Sequence, residues 1–256
     1  MVSSMAEKNI LAIVEGERKE PFLLNKLFEV YHKDENLHVY SYCTNIYALY
    51  DYLKNEYQIN FGEAQDDFDF LQILKEREPD QEKKKIFDIS YTDILLVFDF
   101  DPQDKRFSKT PLLEMMDFFN NSTECGRLYF NYPMVESCID IQSFTDDSYL
   151  KSVVNISELN RYKDIAQNRS CCPDMRRYGK NEFSRIIDLN LRKTAYILAS
   201  PDYVKMTDDS YNALRKVLSL QINLLNRKSY FYILNTCLFF MYDYLGPKMI
   251  DWLHRG

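Results

Sequence analysis

The sequence predicts an α/β fold whose sheet is rich in parallel strands, and three observations carry this prediction. Short apolar runs at residues 10–14 and 94–98 end abruptly in acidic residues, as buried parallel strands do. Segments with helical periodicity alternate with these runs. Beyond the sheet the chain changes to helices and loops. We therefore predict an α/β domain over residues 8–140 and a helical region over residues 141–256.

The predicted elements follow one another along the chain. Pro21 suits the first turn of the first helix. The charge-rich segment 62–85 is interpreted as an insertion within the first domain, either a solvated linker or a surface that contacts a partner. Phe68, Phe70, Leu71 and Leu74 suggest a short helix inside it. The strands are predicted at 10–14, 37–42, 94–98 and 127–130, and the helices at 20–31, 46–57, 111–119, 181–198, 207–225 and 230–244.

Composition limits the classes of function. A hydrophobic content of 46% and an aromatic content of 15% indicate a folded protein. The net charge of -7 gives no global attraction to nucleic acid, so any such binding needs a local basic surface. Six cysteines lack metal-ligand spacing and are expected to be reduced. With no signal-peptide pattern and no apolar stretch of about 20 residues, we expect a cytoplasmic protein with no membrane association.

Acidic residues follow two of the predicted strands. Glu15 comes directly after the first run, and Asp99 and Asp101 come directly after the run at 94–98. Ligands bind at the carboxyl ends of strands in open α/β sheets, so we expect these carboxylates at one edge. Such oxygens suit Mg²⁺ or Mn²⁺, and Gly16 permits a sharp turn beside the metal. The alternative is that these acids are loop caps or solvent-facing residues.

These acids also carry a family resemblance. Glu15-Gly16 after one strand and Asp99-x-Asp101 after another resemble a TOPRIM domain, so the expected fold is TOPRIM-like. Residues 15–21, Glu-Gly-Glu-Arg-Lys-Glu-Pro, resemble the opening of RloB-like proteins and of the TOPRIM effector in the PARIS anti-phage system. Residues 131–137 are similar to their Asn-Pro-x-Phe-Glu segment, with Tyr132 inserted, and residues 177–181 are similar to their Tyr-x-Lys segment.

The resemblance implies a metal-dependent nuclease that acts as an anti-phage defence or toxin effector, with RNA such as tRNA favoured slightly over DNA. Glu15 would bind metal and help to deprotonate a water, while Asp99 and Asp101 would hold the metal. Glu20 and Asp104 are further candidate ligands. The alternative for Glu20 is a first-turn helix acid, and for Asp104 a turn residue.

Further candidates lie later in the chain. Glu136 follows the last predicted strand in an apolar context, where a buried carboxylate should be paired or metal-bound. Lys180 is the candidate cation for the reacting phosphate. A basic stretch around it predicts a nucleic-acid face, the alternative being an ordinary charged helix surface. The candidate nucleic-acid residues are Arg176, Arg177, Tyr178, Arg192 and Lys193.

Two other functions stay open. The first is a non-catalytic subunit held by a larger ATPase, which is the partner that the resemblance implies. In that case the C-terminal aromatic residues would form a docking surface. The alternative is that these residues form the core of the helical region. A homodimer is also possible. The Asp-x-Asp pair further resembles the nucleophile motif of HAD phosphatases, although that reading leaves Glu15-Gly16 unexplained. The aromatic residues concerned are Tyr230, Phe231, Phe239, Phe240 and Tyr242.

Overall fold

The computed structural model describes residues 8–31, 35–62, 68–200 and 210–246, and it confirms the α/β class. The strands are β1 Asn9–Val14, β2 Asn36–Ser41, β3 Asp93–Asp99, β4 Asn120–Asn121, β5 Gly126–Tyr132, β6 Val153–Asn155, β7 Tyr230–Tyr232 and β8 Leu234–Asn235. The helices are α1 Lys19–Tyr31, α2 Ile46–Glu56, α3 Phe70–Arg77, α4 Gln81–Lys84, α5 Lys109–Phe118, α6 Tyr162–Arg169, α7 Lys180–Ile197, α8 Ser210–Lys228 and α9 Phe239–Leu245.

One mixed sheet has the strand order β2-β1-β3-β5-β4, with β8 also pairing with β5. The apolar runs explain its centre, because residues 10–14 are fully buried in β1 and Leu95 and Leu96 are fully buried in β3. β1 runs parallel to both neighbours, with Val14 opposite Ser41 of β2 and opposite Val97 of β3. The pairings of β5 with β4 and with β8 are antiparallel.

The chain forms two compact units. The first comprises the described residues up to Val97 together with Glu114–Leu128, and the second comprises Phe98–Leu113 together with the described residues from Tyr129 onward. The domain limits predicted from the sequence, 8–140 and 141–256, stay predictions.

In the first unit, part of the charged segment 62–85 is integrated into the fold. Asp69 caps α3 by accepting from the Gln72 amide, and the helix buries Phe70, Ile73 and Leu74. The linker interpretation is therefore wrong for α3, because apolar residues recur on one helix face and need a packing partner. Residues 63–67 of the insertion lie outside the described residues.

In the second unit, the helix predicted at 230–244 is wrong in its first half. Residues 230–232 form β7, which pairs antiparallel with β6, and helix α9 begins only at Phe239. The Tyr-Phe-Tyr triplet favours a strand, since aromatic residues pack well on a pleated surface. The side chain of Gln221 fixes this strand by donating to Tyr232 O and accepting from Tyr232 N. The start of the helix predicted at 207 lies outside the described residues.

The aromatic C-terminal residues mostly belong to the core of the second unit. Phe231, Phe239, Phe240 and Tyr242 are each at most 4% exposed, and Tyr230 is partly exposed. The core interpretation is confirmed for the four buried residues, which removes them as a docking surface. Among the described residues, no helix is both long and apolar enough to cross a membrane.

Candidate functional site

The Asp-Phe-Asp segment at the end of β3 is held by the aromatic residue between its two acids. Phe100 is fully buried, and its ring lies 5.0 Å from the Tyr132 ring and 5.2 Å from the Phe231 ring. Asp99 and Asp101 on either side are partly exposed. Asp101 adopts a left-handed backbone conformation with φ of 36°, which is uncommon but tolerated best by Asn, Asp and His. An anchored Phe100 therefore presents two carboxylates at the carboxyl end of a central strand.

Asn131 of β5 contacts this segment through both its backbone and its side chain. Its carbonyl accepts from the Phe100 amide at 3.0 Å, and its side-chain Nδ2 lies 3.5 Å from Asp99 Oδ1. The Asn131 side chain is fully buried, yet its Oδ1 has no hydrogen-bond partner among the described residues. The sequence analysis gave Asn131 no role. The available signal was its position, one residue inside the end of a strand that is followed by acidic Glu136.

Asp104 has another partner in the structure. Its Oδ1 accepts from the Arg106 backbone amide at 2.7 Å and from Arg106 Nε at 2.9 Å, while its Oδ2 pairs with Arg106 Nη2 at 2.7 Å. These bonds close a turn, which matches the turn alternative for Asp104. A role as a metal ligand would require Asp104 to give up a bidentate guanidinium pair.

Glu136 is a buried carboxylate in the second unit. It lies in a 3₁₀-helical turn at Val135–Cys138 and is 3% exposed. The ammonium of Lys163 lies 3.8 Å from Glu136 Oε1, at the surface end of the side chain. The expectation that this carboxylate is paired is therefore met, and its catalytic role stays a prediction.

In the first unit, the segment after β1 extends the sheet by one residue before the chain bends toward α1. Glu15 N donates to Val97 O at 3.1 Å, and Glu15 O accepts from Cys43 N at 3.0 Å, so the backbone of Glu15 continues the parallel ladder on both sides. A Cβ at Gly16 would lie 2.7 Å from Glu20 Oε2, the end of a flexible side chain that can move aside, so the expected need for glycine beside a metal stays a prediction. Glu20 is 6% exposed in the first turn of α1, where the helix dipole favours a carboxylate.

The residues at the end of β3 fit a hard divalent cation. Carboxylate oxygens are donors that Mg²⁺ prefers, and Mg²⁺ is usually held by one or two carboxylates, water and substrate phosphates. In the described part of the chain, no three His, Cys, Asp or Glu side chains are close enough to form a complete metal cage. A cation site at these residues, and the contribution of Glu15 to it, therefore stay predictions.

Two of the predicted nucleic-acid residues are buried, which corrects that expectation. Tyr178 is 2% exposed, and its hydroxyl donates to Cys172 O at 2.7 Å, so its ring is not available to stack on a base. Lys193 is fully buried, and its Nζ donates to Tyr149 O, Ser152 O and Ser152 Oγ at 2.7–2.8 Å. The signal that predicts this burial is spacing, because Ile186, Asn190 and Lys193 share one helix face.

The remaining basic candidates reach the surface. The Arg176 and Arg177 side chains are 79% and 83% exposed, and both pair with Asp174, at 2.7 Å and 3.7 Å. Arg192 is 37% exposed and pairs with Asp147 at 2.5 Å. Lys180 is exposed at the first position of α7, and its contact with a phosphate stays a prediction. The exposed cationic surface thus centres on Arg176 and Arg177.

Comparisons with protein-family models, with curated proteins and with solved structures gave no match. The resemblance to TOPRIM and RloB-like proteins therefore rests on the sequence segments described above, and it supports the function proposed below without establishing a family.

Proposed function

We propose that this chain is a Mg²⁺- or Mn²⁺-dependent nuclease, acting as an anti-phage defence or toxin effector. The observation that supports this most is the pair Asp99 and Asp101, presented at the carboxyl end of β3 on either side of buried Phe100. Ligand sites in open α/β sheets form at such strand ends. The sequence resemblance supports the same chemistry, and it favours RNA such as tRNA over DNA.

Each candidate residue has a proposed task. When bound, the divalent cation supplies charge neutralisation at the phosphate and a more acidic water. Asp99 and Asp101 would hold that cation, with Glu15 and Glu20 as further carboxylates taken from the sequence. Glu15 would also help to deprotonate the water, Lys180 would contact the phosphate that reacts, and Glu136 is a further candidate catalytic residue.

The decisive experiment incubates the purified protein with labelled tRNA, plasmid DNA and single-stranded DNA in the presence of Mg²⁺, Mn²⁺ or EDTA. We expect cleavage with either metal and none with EDTA. Asp101→Asn should abolish that cleavage, because it removes a charged ligand while preserving side-chain size. Asp146→Asn is the matched control, since Asp146 is an exposed loop aspartate in the same unit, and it should cleave like the wild type.

Other outcomes would favour the alternatives. Full cleavage by Asp101→Asn would contradict the assigned metal site. Hydrolysis of a small phosphate monoester without any cleavage of nucleic acid would favour a HAD-like phosphatase. Absence of both activities, together with stable association with an ATPase, would favour the non-catalytic subunit.

A further inference from the structure

Asn131 is an unusual residue for the interior of a sheet. It is fully buried in β5, where most buried side chains are apolar, and one of its two polar side-chain atoms lacks a partner among the described residues. The other atom, Nδ2, makes a single long contact within the described part of the chain, 3.5 Å from Asp99 Oδ1. Buried polar groups are normally satisfied, and exceptions in native proteins tend to mark functional sites.

The contacts of Asn131 converge on the acidic segment. Its backbone carbonyl binds the amide of Phe100, the residue between the two candidate ligands, and its side chain faces the first of those ligands, Asp99. Hydrogen bonds around a catalytic centre are often long before the centre is loaded and shorten afterwards. An N–H donor beside a carboxylate also fixes which of its oxygens points toward a cation.

We propose that Asn131 is a positioning residue, whose amide orients the carboxylate of Asp99 for binding a divalent cation. This inference rests on the proposed function, and it concerns a residue outside the carboxylate set. Asn131 acts through Asp99: its Nδ2 donates to Asp99 Oδ1, and its Oδ1 accepts from a water that the bound cation brings into the site.

Asn190 provides a contrast within the same unit. It is also fully buried, but its Oδ1 accepts from Tyr149 OH at 2.8 Å and from Asn235 N at 2.9 Å, while its Nδ2 donates to Ile186 O at 2.8 Å. Every polar atom of the Asn190 side chain therefore supports the fold. A leucine at position 190 would break these bonds, whereas a leucine at position 131 would remove a poorly satisfied amide.

The test compares Asn131→Leu with the control Asn190→Leu in three measurements on the whole chain. These are the apparent melting temperature, the Mn²⁺ affinity from titration followed by electron paramagnetic resonance, and the cleavage turnover. Asn131→Leu should melt at or above the wild-type temperature while losing roughly 10- to 100-fold in Mn²⁺ affinity or turnover. Asn190→Leu should melt lower and keep wild-type Mn²⁺ affinity at a temperature where it is folded.

A second variant protects the test against misfolding. Asn131→Ser removes the amide with little bulk and should also weaken Mn²⁺ binding by about tenfold or more. In the background of Asp99→Asn, either change at position 131 should have no further effect on Mn²⁺ affinity, because Asn131 acts through Asp99.

The outcomes separate this inference from the proposed function. If the wild type neither binds Mn²⁺ nor cleaves nucleic acid with it, the proposed function is wrong and this inference with it. If the wild type does both, and the variants at 131 retain Mn²⁺ affinity and turnover within about twofold, only the inference is overturned. A loss of melting temperature in Asn131→Leu as large as in Asn190→Leu would likewise overturn it, by making Asn131 structural.

Discussion

Lys193 shows how one buried amino group organises its surroundings. Its Nζ bonds the Tyr149 and Ser152 carbonyls and the Ser152 hydroxyl, and it lies 4.2 Å from the centre of the Tyr149 ring. Burial lowers the pKa of Lys193 well below its ordinary value, and the Asp140 carboxylate opposes part of that shift. Lys193 therefore ties α7 to the turn at residues 148–152 by donating to acceptors on Tyr149 and Ser152.

Replacing Lys193 with Met should lower the free energy of unfolding by about 1–3 kcal/mol at pH 7, because buried carbonyls lose their donor. Urea denaturation measures this change. The control is Arg192→Met on the same helix. Arg192 is partly exposed and pairs with exposed Asp147, so its loss should cost at most about 1 kcal/mol. Equal, small effects would show that Lys193 makes no net contribution to stability.

The pH dependence of that difference follows from the lowered pKa of Lys193. Between the lowered value and the ordinary value of about 10.4, the unfolded chain binds more protons than the folded chain. The stability of the wild type therefore rises with pH across this window, and Lys193→Met lacks that rise. The stability gap between the two should widen as the pH rises toward the ordinary pKa of lysine, and a constant gap would contradict the direction of the shift.

At the scale of elements, α3 joins the edge of the sheet in the first unit. β2 is the outer strand, and its Tyr40 hydroxyl donates to buried Glu78 at the end of α3, at 2.8 Å. The neighbouring Arg77 guanidinium lies 4.0 Å from the centre of the Tyr42 ring.

The integration of α3 predicts a large effect from a small truncation. Leu74 is fully buried, and Leu74→Ala should lower the free energy of unfolding by about 2–5 kcal/mol. Gln72→Ala, on the exposed face of the same helix, should change it by no more than about 0.5 kcal/mol. Chemical denaturation of both variants checks this. A negligible cost for Leu74→Ala would restore the interpretation of this segment as a linker.

The sheet was predictable because its strands carry their own signal. The runs at 10–14 and 94–98 lie within β1 and β3, since a fully buried strand must be apolar throughout. The stretch 230–244 was mispredicted because a short apolar run with aromatic residues fits a strand and a buried helix equally well. There the decisive contact is with Gln221, which lies on another element and leaves no periodicity in the local sequence.

The sequence predicted the positions of the acidic candidates better than the exposure of the basic candidates. An acidic residue directly after a buried strand lies at the carboxyl end of that strand. The location of Asp99 and Asp101 therefore followed from the sequence. Helix spacing indicates the burial of Lys193, but its bonding partner Tyr149 lies far along the chain. Asn131 begins the segment 131–137 that resembles RloB-like proteins, but its contact with Asp99 lies across strands, which a single sequence does not reveal.

For the whole molecule, net charge and local charge oppose each other. The chain carries a formal charge of -7, so nucleic acid is repelled at long range. Binding then depends on exposed cations that are close enough to phosphate to release counterions. Arg176 and Arg177 are the most exposed of the predicted nucleic-acid residues that the structure describes, and they are adjacent in sequence. Their shared partner Asp174 holds them near one another.

The double variant Arg176→Ala/Arg177→Ala should therefore weaken binding of tRNA or single-stranded DNA to a chain that still carries its acidic site. If each arginine neutralises one phosphate, the slope of log affinity against log salt should fall by about 1.4–1.8. Fluorescence anisotropy at several salt concentrations measures this slope. The matched control is Lys83→Ala/Lys85→Ala, which lowers the net charge by the same amount at exposed positions of the first unit. The control should keep the wild-type slope, because the local surface and not the total charge governs phosphate contacts. An equal decrease in slope for both double variants would show that Arg176 and Arg177 contact no phosphate.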